Sequence, residues 1–215
     1  MVQHNSDTQS EPKAYMYLSK PPAQPASKAM TQAEDKELIL KFRDEASRNW
    51  AFNQIVRKYQ QRVYANIRKM VVDHDDANDL TQETFVKAWK HLANFREESQ
   101  LYTWLYRIAA NESLNFLSRK RRRFFVPLHD VRRELATKLD SGAGFTGDEI
   151  QLKLQKALLT LPDKQRLVFN LKYFEELTYE EMSEVTETSV GALKASYHHA
   201  VKKIEAFLAK SMDQS

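Results

Sequence analysis

The sequence predicts an all-α fold built from two small helical domains joined by a flexible linker. Over most of the 215 residues, apolar side chains recur at steps of three and four, the spacing of amphipathic helices. Only four glycines and six prolines are present, so turn-forming residues are scarce. Residues 124–149 are the exception, because Pro127, Gly142, Gly144 and Gly147 would break any helix there.

Composition excludes several classes of protein. The net charge is +4 and the isoelectric point about 9.1, a mildly basic balance that argues only weakly for nucleic acid. The absence of cysteine excludes disulfides, thiolate metal sites and a cysteine nucleophile. No apolar run approaches the roughly 20 residues of a membrane span, and the N-terminus lacks the apolar core of a signal peptide. We therefore expect a soluble, intracellular protein.

The chain divides into four parts. Residues 1–30 are polar and contain four prolines, so they cannot bury enough apolar surface to fold and are expected to be disordered. A first domain is predicted over residues 31–123, the flexible linker over 124–149, and a second domain over 150–210.

The first domain is predicted to open with two helices. The first begins within residues 31–35, and a break near residues 47–49 separates it from the second. The positions predicted to form their core are Leu38, Ile39, Phe42, Trp50, Phe52, Ile55, Val56, Tyr59, Val63, Tyr64, Ile67, Met70 and Val71.

A third helix has one apolar face and one polar face. The apolar face carries Ala77, Leu80, Thr84, Phe85, Ala88, Trp89 and Leu92, and the polar face carries Asp79, Gln82, Glu83 and Lys87. Aspartates crowd its start, where carboxylates favour the helix dipole. The pair His74-Asp75 could belong to a metal-dependent hydrolase, but the further ligands that such a site needs do not follow at a defined spacing.

The fourth helix ends in a basic run. Its buried stripe is predicted to be Leu101, Trp104, Leu105, Ile108, Ala109, Phe116 and Leu117, with Tyr102 and Tyr106 exposed. The side chains off that stripe are Arg107, Asn111 and Asn115, and the run is Arg119, Lys120, Arg121, Arg122 and Arg123. Such a run is commonly a solvated helix end. Cations beside aromatic and amide groups are also what capture of single-stranded DNA requires.

Residues 180–200 are typical of a helix-turn-helix. The first helix of this motif has apolar positions at Tyr179, Met182 and Val185, and a short polar joint follows. Ser189 can cap the second helix, whose buried positions are Val190, Leu193, Tyr197 and Val201. A second helix of this kind lies in the major groove of DNA, although an ordinary helical hairpin has the same spacing.

Two separated blocks of sequence resemble bacterial sigma factors. The first block contains DLTQETF at 79–85, Ala88-Trp89, Phe95, TWLYRIA at 103–109 and Asn111, and is similar to region two. The second contains LPDKQR at 161–166, LTYEEM at 177–182 and VGALK at 190–194, and is similar to region four. The group with only these two regions is the extracytoplasmic-function (ECF) sigma factors of the sigma-70 family.

The resemblance implies roles for particular residues of the first domain. Asp79, Gln82 and Glu83 would bind the clamp of the polymerase largest subunit. The connection at Asn94, Phe95 and Arg96, with the helix that carries Trp104, would open the minus-ten element and hold a flipped base. The residues expected to contact that strand are Arg107, Asn111, Asn115 and the run Arg119, Lys120, Arg121, Arg122 and Arg123.

The resemblance also places the second helix of the helix-turn-helix on the minus-thirty-five element. The expected contacts are Ser189, Lys194, Ser196, His198, His199 and Lys202. Family members usually carry a threonine after the glycine and arginine where Ser196 and His199 stand here, so the preferred DNA sequence should differ. One metal ion is not expected to take both histidines, since adjacent helical residues point about 100° apart.

The predicted protein is thus a promoter-recognition subunit with no catalytic residue, metal or cofactor. It would act as a monomer on core RNA polymerase, contacting the clamp and the flap, in the bacterial cytoplasm. The family implies an anti-sigma factor linked to the membrane, which no residue here identifies. The main alternative is a standalone helix-turn-helix regulator that binds duplex DNA without polymerase. An RNA- or metal-dependent enzyme is a remote third, since no convergent ligand or nucleophile set is visible.

Overall fold

The computed structural model describes residues 28–123 and 149–212, and these residues are helical with short connections and no strand. The helices are α1 (Lys28–Arg43), α2 (Arg48–Val71), α3 (His74–His91), α4 (Leu101–Arg123), α5 (Glu149–Leu159), α6 (Asp163–Tyr173), α7 (Tyr179–Thr186) and α8 (Val190–Met212), with a 3₁₀ turn at Leu92–Asn94. The all-α prediction is confirmed. The predicted leader and linker lie outside the described residues, apart from 28–30 and 149, which are helical.

Helices α1–α4 form the first unit, in which α2 packs against each of the other three. The 24-residue α2 buries Ile55, Tyr59, Val63, Ile67 and Met70, a series with steps of three and four. This is the predicted core, and it is one continuous apolar cluster.

Two tryptophans assigned to the core are exposed instead. Trp50 is 50% exposed at the start of α2, and Lys41 lies over its ring. Trp89 is 36% exposed, and its ring edge contacts Phe42 and Phe52 at centroid distances of 5.2 and 5.0 Å. Both tryptophans thus contact neighbouring side chains while part of each side chain meets water.

The aspartates lie at the start of α3, where the helix dipole favours negative charge. Asp73 is the N-cap, and its carboxylate accepts hydrogen bonds from the backbone N–H groups of Asp75 and Asp76 at 3.0 and 3.1 Å. The ring of His74 contacts Tyr64 and Asn78 and belongs to no metal-binding group within the described residues.

Helices α5–α8 form the second unit. Pro162 is the N-cap of α6 and lies one residue before its first turn. Part of α6 packs on α5 and α8 in a separate small core around Phe169 and Ile204. The backbone N–H of Ala192 donates to Ser189 Oγ at 3.4 Å, which is the predicted cap of α8.

Helices α7 and α8 form the predicted helix-turn-helix. Thr178 and Glu181 start α7 with a capping box, in which each side chain accepts from the backbone N–H of the other residue. Glu187 ends α7 in the left-handed conformation, with φ 53°, and residues 187–189 make the turn.

The two units pack directly on each other, which the sequence analysis did not predict. Helix α7 lies on α4, and α6 lies on α2. Tyr102 and Tyr106, predicted to be exposed, are 6% and 1% exposed because the second unit covers them. The apolar cluster of the first unit continues into Leu171, Met182 and Val185 of the second. No described helix combines the length and apolar composition that a membrane crossing requires.

Candidate nucleic-acid interface

The polar side of α3 is exposed along its length. Asp79, Gln82 and Glu83 all face solvent. Val86, which is 54% exposed, and Trp89, which is 36% exposed, follow them further along the helix. We call these five residues the α3 face. The side chain of Lys87 lies off this face, where its Nζ contacts Glu112 Oε1 at 2.5 Å. Exposed apolar groups beside carboxylates are typical of protein-binding surfaces. Val86 was not predicted, although it stands between two polar positions of the same helix face.

Residues 92–100 connect α3 to α4, and we call them the connection. Asn94 and Arg96 are exposed there, as a DNA-contacting role requires. Phe95 is 7% exposed, and its ring packs on Trp104 at 5.2 Å between centroids. The buried ring of Phe95 therefore packs beneath the surface of the connection. The half-buried Trp104 keeps part of its ring accessible.

Arg43 at the end of α1 holds the connection in place. Its Nη2 donates to the carbonyl oxygen of Phe95 at 2.7 Å, and its Nη1 lies 2.9 Å from Glu97 Oε1. Glu97 has φ 61°, in the left-handed region that disfavours side chains with a Cβ. Arg43 thus stabilises the left-handed backbone conformation of Glu97, which a glutamate does not favour.

A cavity of about 340 Å³ opens beside the connection. Its lining includes five carboxylates but a single cation, Lys36. The acidic residues are Asp35, Glu97, Glu98, Glu181 and Glu184, of which the last two come from α7 of the second unit.

The polar side chains of α4 fall into two groups. Asn111, Asn115, Arg119 and Arg122 are exposed and lie along one side of the helix. These amide and guanidinium groups are free to face a nucleic-acid strand.

The other predicted strand contacts of α4 are engaged within the protein. Arg107 Nε donates to the carbonyl oxygen of Glu184 at 2.7 Å. Lys120 Nζ lies 3.6 Å from Asp76, and Arg121 contacts the carboxylate of Asp163. The side chain of Arg123 lies outside the described residues. Lys120 and Arg121 are thus ion-paired within the protein in this arrangement, and their contact with a DNA strand stays a prediction.

Helix α8 presents the predicted base-reading residues to solvent. Ser189, Lys194, His198, His199 and Lys202 are exposed, and Ser196 is half-buried. On the opposite side, fully buried Leu193 anchors the helix. The rings of His198 and His199 are 6.0 Å apart between centroids, and neither belongs to a cluster of metal ligands within the described part of the chain.

Comparisons with known proteins agree with this geometry. The model of Sigma-70 region 2 matches residues 55–123, and the model of Sigma-70, region 4 matches residues 151–204. The RNA polymerase sigma-H factor of Pseudomonas aeruginosa is 33% identical over 189 residues, which are 83% of this chain and 96% of that protein. The chain belongs to the sigma-70 family.

Another relative places this sigma factor in the ECF group. The ECF RNA polymerase sigma-E factor of Haemophilus influenzae is 32% identical over 165 residues, 72% of this chain and 86% of that protein. Among solved structures, the sigma factor RpoE in complex with the anti-sigma factor NepR from Bartonella quintana is similar, with a TM-score of 0.58 and 23% identity. That likeness covers 74% of this chain and 96% of that one, and it confirms the fold. The predicted identification as an ECF RNA polymerase sigma factor is confirmed.

Proposed function

We propose that this sigma factor binds core RNA polymerase through the α3 face, reads promoter DNA with α4 and α8, and melts the minus-ten element. The observation that carries the proposal is a pair of exposed faces with opposite charge on one chain. Asp79 and Glu83 make the face of α3 acidic, whereas Lys194 and Lys202 make that of α8 basic. An acidic face suits a basic protein surface, and a basic helix suits DNA phosphates.

The minus-ten element would be opened by binding energy alone. Unstacking a base costs a few kcal/mol, so a shaped site must recover that energy. The exposed Asn94 and Arg96 of the connection, with Asn111, Asn115 and Arg119 of α4, supply amide and cationic groups around such a site. We infer that the chain is not an enzyme and that strand opening uses no nucleotide hydrolysis.

The minus-thirty-five element would be read in the major groove by α8. Lys194, His198, His199 and Lys202 are exposed on it, and the helix-turn-helix fixes its orientation through the short turn after α7. The proposed division of labour assigns polymerase binding and melting to residues 31–123 and minus-thirty-five recognition to residues 150–210.

The polymerase contact is tested by co-elution of the full chain with sigma-free core enzyme. Glu83→Lys places a cation on the acidic face and is expected to weaken co-elution at least about tenfold. Glu180→Lys makes the same charge change on an exposed position of α7 and should leave co-elution intact. Equal retention of the Glu83→Lys and wild-type chains would remove the α3 face from the proposal.

The promoter contact is tested by gel shift and permanganate reactivity with and without core enzyme. Specific binding and strand opening should appear only with core. Replacing Asn111, Asn115 and Arg119 with alanine should abolish permanganate reactivity while co-elution persists. Tight sequence-specific binding by the isolated chain would instead favour the standalone regulator.

We further infer an anti-sigma partner that is linked to the membrane, in a protein that works in the bacterial cytoplasm. A solved relative is described as a complex with an anti-sigma factor. Purification of the tagged chain from its own bacterium should recover a protein that blocks co-elution with core. Recovery of core enzyme alone under every growth condition would contradict this inference.

A further inference from the structure

We propose that Glu112 of α4 keeps the α3 face acidic, because it holds the side chain of Lys87 away from Glu83. Glu112 is then a positioning residue for polymerase binding, although it is buried and belongs to the helix assigned to DNA. This inference rests on the proposed function, in which the α3 face binds core RNA polymerase. All three side chains belong to the first unit.

Glu112 is a buried carboxylate whose cation comes from another helix. It is 6% exposed, and Lys87 of α3, 25 positions earlier in the chain, brings its Nζ to 2.5 Å from Glu112 Oε1. The side chain of Lys87 itself is 47% exposed. A buried carboxylate that loses its cation is strongly unfavourable. The burial of Glu112 therefore favours this position of the Lys87 ammonium group over one in water.

A second carboxylate is within reach of Lys87. Glu83 precedes it by four residues on α3, and this spacing brings the two Cβ atoms to about 5–6 Å on a helix. Glutamate before lysine is also the order that stabilises a helix at this spacing. Local sequence thus favours a surface ion pair between Glu83 and Lys87, yet Lys87 lies on Glu112. The buried partner is favoured because water screens the charge of an exposed one.

Glu83 consequently keeps its charge for a partner outside the chain. Neither Asp79 nor Glu83 forms an ion pair within the part of the chain that the structure describes. The two carboxylates are four residues apart, and like charges at that spacing destabilise a helix. The helix itself therefore gains nothing from this arrangement. A basic protein surface would neutralise both carboxylates on binding.

A further ion pair between α3 and α4 has the opposite polarity. Asp76 of α3 lies 3.6 Å from Lys120 Nζ of α4. Contacts with α4 thus hold one charged residue on each side of the acidic turn, Asp76 before it and Lys87 after it. Asp79 and Glu83 lie between them in the sequence and remain exposed. Packing of α4 on α3 therefore decides which charges of α3 a partner meets.

Loss of the charge on Glu112 should change the α3 face without altering any of its residues. Glu112→Gln keeps the shape of the side chain and removes its charge. Lys87 then has no carboxylate on α4 at this position, and Glu83, one turn earlier, becomes its partner. An ion pair there cancels the charge that Glu83 offers to polymerase.

The test measures the affinity of the full chain for core polymerase. The chain has no cysteine, so exposed Ala206→Cys on α8 carries a dye whose anisotropy reports binding. Glu112→Gln should weaken binding about threefold relative to Glu180→Gln, which removes the same charge at an exposed position of α7. Glu83→Gln should weaken it equally. The two substitutions Glu83→Gln and Glu112→Gln together should weaken it no further, because both remove one charge from the same face.

Rescue separates this role from a general loss of structure. Adding Lys87→Met to Glu112→Gln removes the ammonium group, leaves Glu83 unpaired and should restore the wild-type affinity. A variant that was only loosened in its fold would not recover through a second change at the same contact. The threefold difference should also shrink in about 1 M salt, where exposed charges are screened within about 3 Å.

The partner of Lys87 can also be measured without polymerase. In NMR spectra of the full chain, coupling across the hydrogen bond links the Lys87 ammonium nitrogen to the carboxylate carbon that it contacts. This carbon should belong to Glu112 in the wild type and to Glu83 in Glu112→Gln. The wild-type measurement needs no substitution, so it remains decisive should Glu112→Gln fail to fold.

Three results would overturn the inference. They are coupling of Lys87 to Glu83 in the wild type, an affinity of Glu112→Gln equal to that of Glu180→Gln, and a further loss when Glu112→Gln is added to Glu83→Gln. A wild-type chain that does not bind core would contradict the proposed function. The NMR measurement would still show which carboxylate holds Lys87, so the two failures are distinguishable.

Discussion

The connection before α4 should depend on a single arginine at the end of α1. Replacing Arg43 with alanine removes the hydrogen bond to the carbonyl oxygen of Phe95 and the ion pair with Glu97. A hydrogen bond from a charged donor contributes about 1.5–3 kcal/mol. The side chains of the ion pair are 38% and 30% exposed, so solvent screening limits that contact to well under about 1 kcal/mol.

The backbone conformation of Glu97 lowers the stability of the connection. Its left-handed backbone, with φ 61°, costs about 1–2 kcal/mol, which the contacts of Arg43 must offset. We therefore expect Arg43→Ala to make local opening of the connection easier by about 2 kcal/mol, or about thirtyfold. The consequence for function is a lower yield of open complex, since the connection would no longer be held ready for the melted strand.

Hydrogen exchange of the backbone amides of residues 95–99 measures this opening in the full chain. Arg43→Lys keeps one cationic donor and should show a smaller acceleration. Arg96→Ala removes an exposed arginine from the same connection and should leave the exchange rates unchanged. If Arg43→Ala exchanges like the wild type, Arg43 does not hold the connection in place.

Three further predictions concern polar side chains that hold hydrogen bonds within the protein. Asp35→Ala should lower the free energy of unfolding by about 3 kcal/mol, because the buried hydroxyl of Tyr59 loses an acceptor at 2.6 Å; adding Tyr59→Phe should cost less than the sum in a denaturant double-mutant cycle. Burial raises the pKa of Tyr59 and of Tyr106, so above about pH 10 only the unfolded chain releases these protons. Stability in urea should then fall by about 1.4 kcal/mol per pH unit for each tyrosine, and a flat profile between about pH 9 and 11 would contradict it. Thr178→Ala should cost about 1 kcal/mol by removing the cap of α7, and Thr178→Ser should restore it; equal losses would show that the hydroxyl is not the stabilising group.

The helices and their caps could be predicted from local sequence. The alternation of apolar residues in α2 and α3, the aspartates before α3 and Ser189 before α8 act within one or two turns of the chain. The polar face of α3 was predictable for the same reason, because burial of one side of an amphipathic helix leaves the other to solvent. The motif residues then indicated the family, and the comparisons confirmed it.

The long-range partners could not be predicted from local sequence. Tyr102 and Tyr106 lie off the apolar stripe of α4, so periodicity alone places them in water; residues 79 and 69 positions further along the chain bury them. The basic run also looked uniform, yet Arg121 contacts Asp163, 42 positions away. Likewise, the hydrogen bond that holds the connection joins Arg43 to the carbonyl oxygen of Phe95, 52 positions later.

Local pattern was therefore enough to predict the helices and several of their caps, since periodicity and capping depend on neighbours in the chain. The resemblance of two sequence motifs indicated the family of this sigma factor. Packing of the two units decided which cations and tyrosines remain available to DNA. That outcome depends on which surfaces meet in space, and charges and hydroxyls are compatible with either water or a buried partner until the partner is in place.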